Sequence, residues 1–359
     1  MGSMPVMAVG SVRMGGLNAD FWATNGKNLL LALVAIGAFI AVVALLLWGT
    51  ELFSRLFSDK WRGGIQLFTL VSPVLILLAI GLFWPAVQTF FLSFTNVVRI
   101  PDPATGINVD QSTFVWFKNY IFAFSDPTEL RTVINTLVWM FVTPILSTLV
   151  GLAYAVFIDR AKGERTLKSL VFLPVAVSLV GASIVWGFIM YDFNQTGSQT
   201  GIINALIALA GGHPINFLTA DPWNTIFLIM ILVWTQTGFA MVVLSAAIKG
   251  VPIELNEASA LDGANAWQRF WQITVPSIRG TLVVVLTTIT IATLKVFDVV
   301  RTLTQGRNGT NVIAYDMYDQ FFVKDNRPLG AALAVVMFIF VVPIVVYNVR
   351  SMRKVRENH

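Results

Sequence analysis

Apolar runs of about twenty residues recur along this chain, and they limit its possible folds more than any other feature. A run of about 20 apolar residues is long enough to cross the ~30 Å hydrocarbon core of a bilayer as a helix. The chain is 56% hydrophobic and only 12% charged, with a mean hydropathy of +0.74, which excludes an ordinary soluble domain. We therefore predict an all-α, polytopic membrane protein with about seven transmembrane helices, at residues 28–48, 67–94, 133–157, 170–190, 225–244, 282–300 and 329–347.

These helices predict three parts of unequal size. Residues 1–64 hold an N-terminal tail and the first helix, residues 65–350 hold a core of six helices, and residues 351–359 form a C-terminal tail. A signal peptide would have a shorter apolar run behind a basic start and a small-residue cleavage site, so we expect the run at 28–48 to be a retained anchor.

Positive charge is shared unequally between the two sets of predicted loops. Lys and Arg residues on one side outnumber those on the other about two to one, and cytoplasmic loops carry such an excess. The pattern predicts that the segment at 252–276 and the C-terminus lie in the cytoplasm and that the N-terminus lies outside. This distribution accounts for the net charge of +5 without a nucleic-acid partner.

A polar stretch at residues 252–276, here called the polar loop, lies between the fifth and sixth predicted helices. Gly263 can adopt the left-handed conformation that ends a helix without a Cβ clash. Asn265 is a suitable N-cap for a second helix, and Gln268 three residues later can complete a capping box. The polar loop is therefore predicted to form two short helices that meet at Gly263.

The second of these short helices carries an aromatic face, formed at spacings of three and four by Trp267, Phe270, Trp271 and Thr274. The helix is too short to span a membrane, so this face needs a partner surface. Two interpretations stay open at this point. The face packs on the protein's own helix bundle, or it docks as an amphipathic helix into a groove of another protein.

Within the polar loop, Glu257-Ala258-Ser259 precedes Gly263 by three residues, and Ile273-Thr274-Val275-Pro276 follows Gly263 after nine more. This arrangement resembles the E-A-A, Gly, I-x-L-P hallmark of the membrane-spanning permease subunits of bacterial binding-protein-dependent ABC importers. Ser259 and Val275 are mild departures from it. The resemblance is to the sugar-importing, maltose and α-glucoside branch, and it extends from roughly Ser72 to the C-terminus.

The resemblance implies a bacterial inner-membrane permease that pairs with a second homologous permease, a cytoplasmic ATPase dimer and an extracytoplasmic solute-binding protein. The polar loop would fit a cleft on one ATPase and transmit its closure to the membrane helices as alternating access. The resemblance assigns this coupling role to Glu257, Ala258, Asp262, Gly263, Ala264, Phe270, Ile273 and Pro276. ATP and Mg would bind the partner ATPase, and this chain would hold no cofactor.

A path for substrate is expected between the two helices that flank the polar loop. By resemblance, a midplane sugar site falls on Thr235, Gln236, Phe239, Ile289, Ala292, Thr293 and Val296. Gln236 is the strongest candidate, since its amide offers two donors and an acceptor. Lys295 and Asp298 share a face of the predicted helix at a spacing of three and are expected either to neutralise each other or to line a wet vestibule.

Other functions lack the residues that they require. The chain has no cysteine and two histidines, which leaves no thiol nucleophile and little basis for a metal site, and its one Gly-Lys pair lacks the upstream glycine of a phosphate-binding loop. We expect no catalytic site and no enzyme activity in this chain. An α-glucoside such as maltose, sucrose or trehalose is the expected substrate; the alternatives are a secondary transporter or a non-transporting scaffold with a cytoplasmic docking loop.

Overall fold

The computed structural model describes residues 59–101, 108–159, 161–194 and 199–357, together with isolated helical positions between residues 30 and 49. The chain divides into two compact units, residues 1–85 and 86–359. The first contains α1 (Asp59–Leu78) and a π-helical turn (Ala79–Phe83), and α2 (Trp84–Leu92) crosses the boundary. The second unit contains the remaining described elements.

In the second unit the described elements are β1 (Thr95–Pro101), β2 (Asn108–Phe114), α3 (Lys118–Ser125), α4 (Pro127–Ile158), α5 (Glu164–Phe172), α6 (Leu179–Ile184), α7 (Ile202–Leu209), α8 (Asn224–Lys249), α9 (Ile253–Leu261), α10 (Ala266–Arg269), α11 (Val275–Ser277), α12 (Arg279–Leu294), α13 (Asp298–Leu303), α14 (Ile313–Tyr318) and α15 (Arg327–Glu357). Short 3-10 or π-helical turns occupy Leu173–Ala176, Val185–Met190, Phe270–Thr274 and Asp319–Val323.

Among the described residues, four helices are long and apolar enough to cross a membrane, namely Val74–Leu92, Pro127–Ile158, Asn224–Lys249 and Arg327–Arg350. Two bent helix pairs raise the number to six, namely Glu164–Ala176 with Leu179–Met190 and Ala266–Ser277 with Arg279–Leu294. They correspond to the six core helices predicted from the sequence and confirm an all-α membrane fold. The predicted helix at 28–48 lies largely outside the described residues, so the count of seven stays a prediction.

The helix predicted at 170–190 is divided into two parts, Glu164–Ala176 and Leu179–Met190, which are bent by 100° relative to each other. Pro174 lies in a 3-10 turn, and Val177 after it adopts an extended backbone with ψ of 134°. Ser178 then begins α6, and its hydroxyl accepts a hydrogen bond from the Gly181 N–H at 3.1 Å. A proline followed by a new N-cap therefore turns one apolar run into two helices.

One small sheet departs from the all-helical expectation. β1 and β2 pair antiparallel, with Thr95 opposite Phe114 and Pro101 opposite Asn108. This stretch lies between the helices predicted at 67–94 and 133–157, where the sequence predicts a polar external loop at 95–130. The β-branched residues of β1 favour a strand, a signal that the prolines nearby obscured.

The core of the second unit forms where α4 packs against α8. Trp139 of α4 is fully buried in a cluster that includes Leu228 and Ile231 of α8. Further along the same pair, a Cβ added to Gly151 would lie 2.6 Å from the Ala240 Cβ and 2.9 Å from the Met241 amide nitrogen. Small residues at this crossing allow the two backbones to approach closely, as is typical of membrane helices.

The close contact between α4 and α8 predicts that one methyl group added at Gly151 lowers the stability of the fold. Gly151→Ala should lower the free energy of unfolding by about 1–3 kcal/mol, because the Met241 backbone cannot move aside as a side chain could. Unfolding in mixed detergent micelles, followed by circular dichroism, measures the change. Gly81→Ala, where nothing lies within 4 Å of the added Cβ, is the control. Equal stability of the two variants would contradict the close packing.

Candidate functional site in the polar loop

The polar loop folds as two short helices, as the sequence predicts. α9 and α10 are separated by the segment Asp262 to Asn265, and a π-helical turn and α11 follow before α12 begins. Pro252 precedes α9 as its N-cap residue with φ of −54°, where its missing N–H costs no helical hydrogen bond. The loop leaves the end of α8 and returns at the start of α12.

A left-handed glycine makes the turn between the two helices. Gly263 has φ of +84°, and nothing lies within 4 Å of a Cβ added to it, so backbone conformation rather than space favours glycine there. The Gly263 N–H donates to the Ala260 carbonyl at 3.1 Å, and the Ala264 N–H donates to the Ser259 carbonyl at 3.0 Å. This pair of bonds satisfies the last carbonyls of α9 and sets the angle of the turn.

A capping box begins the second helix. The Asn265 side chain accepts a hydrogen bond from the Gln268 N–H at 2.9 Å, and the Gln268 side chain accepts one from the Asn265 N–H at 2.9 Å. The Arg269 guanidinium donates to the Ala264 carbonyl at 3.0 Å. The turn is thus held from both sides by local hydrogen bonds, and the local prediction from the sequence is confirmed.

The predicted aromatic face borders a groove of about 470 Å³ whose other wall is the last part of α4. The Trp267 and Trp271 ring centroids lie 5.6 Å apart, yet these side chains are 69% and 48% exposed. The face therefore packs partly on itself, and about half or more of each tryptophan side chain stays open. Arg269 also lines the groove.

The residues assigned to coupling divide by exposure. Glu257, Ala258, Asp262, Gly263 and Pro276 are exposed, whereas Ala264, Phe270 and Ile273 are half-buried. The exposed set lies mainly along α9 and its turn, where a second protein can contact it.

Sequence reasoning missed Leu261, the last residue of α9. Its side chain is 90% exposed, and Ile253 at the other end of α9 is 65% exposed. An apolar residue directly before Asp262-Gly263 was the signal that could have identified it. Large apolar side chains on a helix too short to span a membrane indicate a contact surface for a protein.

An ionic network lies beside the polar loop at the ends of three membrane helices. Lys168 of α5 pairs with Asp159 at 2.5 Å and with Glu164 at 2.8 Å, and Lys249 at the end of α8 also pairs with Glu164. The Ser245 hydroxyl donates to Asp159 at 2.8 Å. Asp159 also lines the groove at the aromatic face, so the network joins the ends of α4, α5 and α8 next to that groove.

The residues assigned to the substrate path have two kinds of environment. Thr235 and Thr293 are buried and donate to the backbone carbonyls of Leu232 at 2.9 Å and Ile289 at 2.8 Å, so their hydroxyls are occupied. Gln236 and Phe239 are half-buried on α8, and the Gln236 amide makes no hydrogen bond within the described part of the chain. Of the neighbouring positions, Ile289 and Val296 are buried and Ala292 is exposed.

The helix predicted at 282–300 is wrong in being continuous through Lys295 and Asp298. The Lys295 and Val296 N–H groups turn back to the carbonyls three residues earlier, which tightens and ends α12, and α13 starts anew at Asp298. Within the described residues Lys295 and Asp298 form no ion pair. Arg301 instead lies over the rings of Tyr315 and Tyr318, at 5.9 and 5.6 Å from their centroids.

Up to six apolar spans, with an exposed amphipathic loop at one end of α8, are typical of a membrane-embedded transport subunit. The family model for the binding-protein-dependent transport system inner membrane component matches residues 120–356. The chain belongs to this family, and it is a multi-pass membrane protein.

Similar proteins cover nearly the whole chain. The alpha-glucoside transport system permease protein of Rhizobium meliloti is 38% identical over 348 residues, covering 93% of this chain and 100% of the relative. The osmoprotective compounds uptake permease protein of Synechocystis is 40% identical over 284 residues, which cover 79% of this chain and 97% of that relative. A chain of a bacterial alginate ABC transporter, solved in complex with an alginate pentasaccharide-bound periplasmic protein, shares the fold with a TM-score of 0.66. The two chains are 21% identical, and the match covers 83% of this chain and 97% of the alginate transporter chain.

Gly263 provides a test of the turn geometry. Gly263→Val should destabilise the turn by about 1–2 kcal/mol, since a β-branched residue is strained at φ of +84°. Amide hydrogen exchange measured by mass spectrometry should then become about tenfold faster in α9 and α10. Gly263→Asn, whose side chain tolerates this conformation, is the matched control and should stay close to the native rate. Native exchange rates in the valine variant would contradict the assigned turn.

Proposed function

We propose that this chain is the permease subunit of an ATP-driven importer that carries an α-glucoside, such as maltose, sucrose or trehalose, across the bacterial inner membrane by alternating access. The full-length similarity to an alpha-glucoside permease carries the substrate class. The exposed polar loop, with its hallmark spacing from Glu257 through Gly263 to Pro276, supports the coupling to an ATPase.

Energy enters this importer from outside the chain. A cytoplasmic ATPase dimer binds ATP and Mg, a second permease completes the membrane path, and an extracytoplasmic solute-binding protein delivers the sugar. The polar loop and the C-terminus face the cytoplasm in this arrangement, and the N-terminus faces outside. The charge distribution along the sequence supports that orientation.

Motion passes from the polar loop into the membrane through two contacts. The exposed side chains of Glu257 and Leu261 engage a cleft on the ATPase, and cleft closure pulls on α9. The capping box and the glycine turn transmit this displacement to the aromatic face, which borders α4. The ionic network around Asp159 then links the movement to α5 and α8. A rigid loop is needed here because a flexible one would absorb the displacement.

The sugar passes between α8 and α12 beside Gln236 and Phe239. An amide and an aromatic ring suit a neutral sugar, which offers hydroxyl groups and apolar ring faces. Gln236 has its full hydrogen-bonding capacity available, since its amide makes no hydrogen bond within the described residues. Thr235 and Thr293 help to hold the backbone of the path instead, because their hydroxyls already bond carbonyl groups.

Uptake by the assembled importer tests the coupling role. In proteoliposomes, Glu257→Ala should lower ATP-dependent uptake of a labelled α-glucoside by about tenfold or more, through loss of a charged docking contact. Glu254→Ala, at another exposed position on the same short helix, is the matched control and should retain uptake. Uptake driven by an ion gradient through this chain alone would contradict the proposal and favour a secondary transporter.

Adjacent residues of α8 test the substrate path. Gln236→Ala should lower the uptake rate at saturating solute-binding protein by about tenfold, the order expected when a hydrogen bond to substrate is lost. Thr235→Val should change that rate by less than about twofold, because the Thr235 hydroxyl serves the Leu232 carbonyl rather than the path. ATP hydrolysis by the assembled complex is measured alongside to verify assembly. Equal effects of the two substitutions would contradict the assignment of Gln236.

A further inference from the structure

A polar pocket of about 220 Å³ lies at the end of the helix bundle opposite the polar loop. Its walls come from the first turns of α4, the segment at 305–311 after α13, and the residues around α14. α4 spans 32 residues between this pocket and the groove at the polar loop, a length of about 48 Å. The side chains that carry its chemistry are Arg131, Asn135, Arg307, Tyr315, Asp319 and Lys324.

Buried amides hold one wall of the pocket in place. The Asn135 side chain donates to the Gly309 carbonyl at 2.7 Å and to the Asn311 carbonyl at 2.9 Å, and the Asn224 side chain donates to the Asn308 carbonyl at 2.8 Å. Asn308 is held at φ of +55°, which a residue with a side chain rarely adopts. The wall that carries Arg307 is therefore set by α4 and α8 before any ligand arrives.

The lining carries three cations and one carboxylate. Arg131 is paired with Asp221, and Lys324 is paired with Asp319 at 3.0 Å. Arg307 has no carboxylate partner within the described residues; its guanidinium donates only to the Gln305 side chain, at 3.4 Å. One guanidinium therefore stands at the pocket without a counter-charge.

Neither of these two ion pairs supplies a counter-charge to Arg307. The hydrogen bond from Arg131 lowers the pKa of Asp221. Partial burial lowers the pKa of Lys324, but the hydrogen bond and charge of Asp319 outweigh it, and that pKa is raised overall. Glu129 and Asp316 lie near Lys324, yet both are at least nine-tenths buried and neither lines the pocket.

We propose that this pocket binds a carboxylate, with the Arg307 guanidinium as its main partner. A guanidinium presents parallel N–H donors that match the two oxygens of a carboxylate. A neutral sugar fits less well, because the Tyr315 side chain is buried beside Arg301 and Phe297 and is not exposed for stacking. Two sources can supply the carboxylate, an acidic side chain of a protein at this end of the bundle or a free acidic solute.

The two sources are separated by titrating the full chain in lipid nanodiscs with defined probes. The probes are the blocked tripeptide Gly-Glu-Gly, its Gly-Gln-Gly analogue, glucuronate and glucose. The glutamate peptide should bind about tenfold or more tightly than the glutamine peptide if a protein side chain is the source. Glucuronate should bind more tightly than both peptides and than glucose if the source is a free solute.

Substitutions of Arg307 test whether its guanidinium binds the carboxylate. Arg307→Gln should weaken binding of the preferred carboxylate by about tenfold, and Arg307→Lys by less, because lysine keeps the charge but not the paired donors. Lys118→Gln, an exposed cation of α3 outside the pocket, is the control and should leave binding unchanged. Equal binding of charged and neutral probes, or unchanged carboxylate binding in Arg307→Gln, would overturn the proposal. Failure of this carboxylate proposal would leave the proposed α-glucoside uptake unaffected, because the uptake experiments measure a different site.

Discussion

The close packing of α4 against α8 is the constraint on which the rest of the second unit depends. Inside a bilayer, burial of apolar surface adds little between helices, so close van der Waals contact of small residues must hold them together. Gly151 permits that contact against Ala240 and Met241. Both ends of this helix pair then acquire a role. One end adjoins the polar loop, and the other provides Asn135 and Asn224, which hold the wall of the polar pocket.

The polar loop has the opposite physical character, since its fold is determined almost entirely by local contacts. A left-handed glycine, a capping box and an arginine that bonds the turn fix its shape within a few residues. Local stability leaves the outer surface free, so large apolar side chains such as Leu261 remain exposed. A rigid loop with exposed apolar side chains is suited to contact a second protein and to move with it as one body.

This contrast explains which parts of the structure could be predicted from the sequence. The six apolar runs of the core and the glycine turn follow from residue type and spacing, and both are confirmed. The bend after Pro174 and the break at Lys295 were missed because hydropathy does not reveal where a helix ends inside an apolar run. Arg301 lies over Tyr315 and Tyr318, which come from a separate helix, so its partners could not be read from helical spacing.

In the proposed importer, the polar loop faces the cytoplasm and is bound there by an ATPase. Leu261→Cys introduces a single thiol into a chain that has no cysteine, at a side chain that is 90% exposed. In intact cells a membrane-impermeant maleimide should leave this thiol unlabelled. Permeabilised cells should show labelling for the chain expressed alone and protection for the chain assembled with its ATPase. Labelling in intact cells, or no protection by the ATPase, would contradict the account.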